Sequence, residues 1–117
     1  ILPAVYQQMI DPFSQSATVR IAFYLGVFMV ELTLTEAMDQ AVDAQRSGDL
    51  IKANQIYAAI LKIKPFHPHA NHNSGIIAAE LGKHDLAVSL FQKALVANNK
   101  ILQFWSSLAQ ILIAADR

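Results

Sequence analysis

A spacing of 34 residues constrains this chain more than any feature of its composition. Gly48 recurs as Gly82, Ala53 as Ala87 and Tyr57 as Phe91. Ala41 recurs as Gly75 and again as Ala109. Small residues return at small positions and aromatic residues at aromatic positions, the signature of a structural repeat whose copies stack on one another.

Each recurring position has a physical reason. Ala41, Gly75 and Ala109 are expected where the first helix of a repeat crosses the second too closely for a larger side chain. Ala53 and Ala87 do the same on the second helix, and Tyr57 and Phe91, four residues on, share its face and fill the space between repeats. The segments SGD (47–49) and LGK (81–83) break the helices inside each repeat, glycine being free to take the left-handed conformation that ends a helix. Pro65 stops the second helix of the first repeat, and Asn99 stands in the corresponding turn of the second. These signals place one repeat at residues 34–67, a second at 68–101, and the first helix of a third at 102–117.

Residues 64–75 read KPFHPHANHNSG, with three of the chain's four histidines and two of its four prolines. In the repeat frame this is a turn: Pro65 ends one helix, Pro68 opens the next where a missing N–H costs nothing, and Gly75 makes the close contact. His69 and His72 fall three apart on the new helix and are expected to face one side. Two imidazoles at that spacing could hold zinc, but a site needs a third or fourth ligand. His67 is the sole neighbour available, so no metal is expected.

Period and wording together resemble tetratricopeptide repeats. HPHANHNSGIIAAELGKHDLAVSLFQKALVANNK followed by QFWSSLAQILIAA is similar to the N-terminal repeats of bacterial multidomain proteins. Those proteins carry such arrays ahead of a glycosyltransferase of the O-linked N-acetylglucosamine transferase (SPINDLY-like) type, or a sulfotransferase. The resemblance covers residues 34–117. Trp105, Leu108 and Ala109 match the family's Trp-x-x-Leu-Gly/Ala opening, and Ala87, Phe91 and Ala94 its second-helix pattern. The fold implied is all-α: helix-turn-helix repeats in a short right-handed α-solenoid. Asn73 stands where transferase arrays carry an asparagine ladder, but Asp39 and Ser107 occupy its other rungs.

The composition excludes several chemistries. Nine basic and nine acidic residues cancel, so no global field recruits nucleic acid or an anionic membrane. With no cysteine, disulfides, thiolate catalysis and Cys-based zinc sites are absent. No glycine-rich phosphate loop or nucleophile motif is present, and no cofactor is implied. Glu36, Asp39 and Asp43 lie along one helix side and read as a solvated face near a helix N-terminus, where negative charge is favourable. The chain is 54% hydrophobic and 15% charged, against roughly 25% charged in an average domain, so it must bury a core.

Residues 1–33 show no 34-residue match. Their apolar run at 21–30 has ten residues, half of the roughly 20 that span a bilayer. Arg20 precedes that run, but Glu31 follows directly and no small-residue cleavage site appears, so a secretory signal is not expected and the protein reads as cytoplasmic. Residues 17–32 are apolar all round, which as a helix requires burial on more than one face. The β-branched and aromatic content also permits a strand, though nothing in a helical array would pair with it, so the expectation is a capping or oligomerisation helix. Met29 opens MVELTLTEAMDQAV, which resembles the start of such repeat regions, leaving 1–28 as an upstream extension.

The function expected is a protein-interaction scaffold: the non-catalytic N-terminal part of a larger bacterial protein, presenting partners or substrates to a catalytic domain. The alternative is a stand-alone oligomerisation or assembly module. A protein or peptide partner is expected on the concave first-helix face, at Met38, Val42, Gln45, Arg46, His69, His72, Asn73 and Ile76, the positions that line the inner surface of a helical repeat array. Homo-oligomerisation is expected too, because Phe104, Leu108, Ile111 and Leu112 would lack a covering helix.

Overall fold

The computed structural model describes residues 18–22 and 29–116, in two strands and five helices. The chain divides at Lys64/Pro65 into two compact units.

In the first unit, β1 (Thr18–Ala22) pairs antiparallel with β2 (Met29–Thr33), with Val19 opposite Leu32 and Arg20 opposite Glu31. This corrects the helix expected over residues 17–32, since the described part of that segment is a hairpin. Extended backbone suits the β-branched residues of TVRIA and MVELT, and the missing partner strand is supplied by the segment itself. Arg20 Nε donates to Glu31 Oε1 at 3.3 Å across the ladder. Residues 1–17, 23–28 and 117 lie outside the described set, as does most of the apolar run at 21–30.

Thr33 ends β2 and caps α1 (Leu34–Arg46), its hydroxyl oxygen accepting from the Glu36 N–H at 3.2 Å. The pattern Thr-x-x-Glu is a capping box in sequence. Gly48, at φ 84°, turns the chain, and Asp49 caps α2 (Leu50–Ile63) by accepting from the Lys52 N–H. Leu34, Ala37, Ala41 and Ala44 of α1 and Ala53, Ile56, Tyr57 and Ile60 of α2 form the buried faces. Val19 and Leu32 of the hairpin are buried as well.

The second unit is α3 (Pro68–Glu80), α4 (His84–Ala97) and α5 (Leu102–Ala115). Pro68 occupies the first turn of α3, and His67 caps it, Nδ1 accepting from the Ala70 N–H at 3.1 Å. Gly82 repeats the left-handed turn at φ 75°. Ala78, Ala87, Phe91 and Ile111 make one buried cluster, and Ala94, Leu95 and Phe104 a second.

Two expectations about α5 are corrected. Phe104 and Ile111 are buried, and Leu108 is half-buried, because this face packs on α4. Ala109, expected at a close helix crossing, is exposed.

Candidate functional site

The expected contact residues fall into two sets of four, one in each unit. On α1, Met38, Val42, Gln45 and Arg46 follow four-, three- and one-residue steps and so share one side of the helix. Met38, Val42 and Gln45 are half-buried and Arg46 is exposed. Arg46 sits in the last turn, where the helix dipole favours a cation. Gln45 is fixed in place: its Oε1 accepts from the Tyr57 hydroxyl at 2.8 Å. That bond ties the face to the core of its unit. Glu36, Asp39 and Asp43 are all exposed, as a solvated face requires.

On α3, His69 is exposed, Asn73 and Ile76 are half-buried, and His72 is buried at 2% exposure. His72 therefore leaves the contact surface, a correction to the expected set. Its ring stacks on Phe104, with centroids 4.6 Å apart at 27°, and lies 5.4 Å from the Phe91 ring. Its Nε2 shares a 2.8 Å hydrogen bond with Ser107 Oγ of α5. Burial depresses its pKa from the ordinary 6.5; a hydrogen bond with Asn73 opposes that shift and the charge on His69 adds to it. The imidazole is a satisfied polar group inside an aromatic core. His69 remains at the surface and meets Phe104 edge-on at 5.5 Å.

Sequence reasoning missed Asn71. It is buried, and its Nδ2 donates to the carbonyls of Pro65 and His67, each at 3.0 Å. These bonds close the turn ahead of α3: the Pro65 carbonyl takes its donor from the side chain, and the His67 carbonyl accepts from the Asn71 backbone N–H as well, at 3.1 Å. The 34-residue frame draws attention to Asn73, two positions on, whereas the turn is built by Asn71.

As metal ligands the histidines are poorly disposed. His67 Nδ1 and His72 Nε2 are engaged within the protein, and no three His, Asp or Glu side chains cluster among the described residues. No described helix is long and apolar enough to cross a membrane. In comparisons with known proteins, no family model matches this chain, and no curated protein is significantly similar to it.

Proposed function

We propose that the chain is a protein-interaction scaffold of tetratricopeptide type, lacking chemistry of its own. It would be cytoplasmic and would serve a larger bacterial enzyme by presenting a protein or peptide partner to it. One observation carries the reading. First helices begin at positions 34, 68 and 102 and second helices at 50 and 84, every step being 34 residues. A helical pair that recurs in strict phase is the unit from which binding arrays are made. The left-handed glycines at 48 and 82 and the buried aromatics at 57 and 91 keep the same phase.

The contact residues proposed are Met38, Val42, Gln45 and Arg46 in the first unit and His69, Asn73 and Ile76 in the second. Peptides selected from a displayed random library on the immobilised chain are the probe. Affinity should fall at least about tenfold in Arg46→Glu or Ile76→Glu variants of unchanged helicity, the loss of a central contact. Selected peptides that bind both variants as tightly as the parent would remove these faces from the function.

A further inference from the structure

A titratable ring sits inside the second unit, where α3 meets α5. His72 of α3 is 2% exposed, stacks on Phe104 of α5, and shares its 2.8 Å hydrogen bond with Ser107 one turn further along that helix. His69, one turn back on α3, meets the same Phe104 ring edge-on. Against α4, by contrast, α5 packs Phe104, Leu108 and Ile111, contacts made of hydrocarbon alone. The repeat does not require the His72 cluster. Met38 and Ser106 stand in the phase of His72, Glu36 and Ala70 in that of Phe104, and Asp39 and Asn73 in that of Ser107. The cluster is therefore an addition to the repeat rather than part of its pattern.

Nothing described around the ring would neutralise a charge on it. Helix α5 has no charged residue. Helix α4 brings the Phe91 ring; its Asp85 and Lys93 are exposed, and its His84 lies two turns ahead of Phe91. On α3 itself Asn73 hydrogen-bonds to the imidazole, and His69 adds a like charge. Glu80, two turns on, is exposed. A protonated His72 is thus an unpaired cation in an aromatic core, and such a group is costly until it finds water or a counter-charge.

We propose that His72 is a pH-operated clasp between α3 and α5. The neutral ring fixes the spacing of the two helices through Phe104 and Ser107. A proton on it parts them there, while the apolar packing of α5 on α4 holds. One proton thereby resets the inner face that carries His69, Asn73 and Ile76. The clasp works whether or not that face binds a partner.

The chain has no cysteine, so pairs of spin labels can be placed at chosen positions. Glu80→Cys with Gln110→Cys spans α3 and α5, and Glu80→Cys with Lys93→Cys spans α3 and α4; all three positions are exposed. Between about pH 7.5 and pH 5 a histidine changes charge. Over that window the α3–α5 distance in the full chain should shift by at least about 1–2 Å, the scale of helix movements at interfaces. The α3–α4 distance should stay constant. His72→Gln, which keeps a hydrogen-bonding group but cannot titrate, should abolish the shift. Ser107→Asp, which offers the cation a counter-charge, should hold the two helices together at the lower pH. A shift that survives His72→Gln overturns the proposal, as does a Ser107→Asp chain that moves as the parent does. An α3–α5 distance that ignores pH also overturns it. So does a change in both distances together, which would mean that the unit unfolds as a whole.

Discussion

Phe91 occupies the space that a side chain at Gly75 would need. A Cβ placed on Gly75 would come within 2.5 Å of Phe91 Cε1 and 2.7 Å of Cδ1. The ring cannot swing aside cheaply, since it is buried with Ala78, Ala87 and Ile111.

Gly75→Ala therefore sets two effects against each other. Alanine gains about 1 kcal/mol of helix propensity over glycine, while overpacking a filled core costs about 1–3 kcal/mol. Because the neighbour is a confined ring, the second effect wins, and urea unfolding should show a net loss of about 1 kcal/mol. Combined with Phe91→Leu, the loss should be smaller than the sum of the two single changes, the signature of direct contact.

His72 makes stability depend on pH in a definite direction. Its folded pKa lies below the ordinary 6.5, chiefly because burial disfavours the charged ring. The unfolded chain thus binds the proton more readily, and the neutral ring's contribution is fully present above about 6.5 and lost as pH falls through the folded value. Around it lie His69 and Asn73 on its own helix, Phe91 on α4, and Phe104 and Ser107 on α5. Of these only His69 can carry a charge, which adds to the effect. Melting temperature should fall between about pH 7.5 and pH 5, and His72→Gln should flatten that segment. A variant with the parent's slope would show that other groups carry the effect.

Asn71→Ala should lower stability by about 1–3 kcal/mol, because the Pro65 carbonyl loses its side-chain donor, while the His67 carbonyl keeps the Asn71 backbone N–H. Asn71→Asp tests the sign more sharply. It keeps the shape but faces a carboxylate toward two carbonyl oxygens, and it should be the more destabilising of the two in chemical denaturation.

Zinc at a few-fold molar excess should leave the melting temperature unchanged. A ligand that binds only the folded chain must raise it, and both His67 and His72 already spend a ring nitrogen inside the protein. A rise abolished by His72→Ala would show that the two histidines can be recruited together.

The repeat phase was legible because its signals are local. A glycine that must turn left-handed, a proline that suits a first turn and a small residue at a crossing each act within a few positions. The hairpin was not legible, because its evidence is relational. Arg20 and Glu31 read as isolated charges flanking an apolar run, and only the pairing of two strands sets them opposite each other. His72 was misplaced for a different reason. Both α4 and α5 pack against α3, so Asn71, His72, Gly75, Ile77 and Ala78 are buried around much of its circumference. A helix covered from two directions has no single apolar stripe by which its faces can be told apart. On α5 the reverse happened: apolar residues on both sides of the exposed stripe of Gln103, Ser106 and Gln110 concealed which side meets α4, and Phe104 and Ile111 were assigned to the open side.

The turns at Gly48 and Gly82 have a consequence in stereochemistry. Both glycines are exposed and left-handed, and an L-side chain built on either meets no atom within 4 Å. The objection to L-alanine there is thus one of backbone handedness, about 1–2 kcal/mol per turn. D-alanine favours that same backbone region, and by narrowing the unfolded ensemble it should add about 0.4–1 kcal/mol at each site. Two synthetic chains, identical in every bond and differing only in configuration at positions 48 and 82, should melt on opposite sides of the parent.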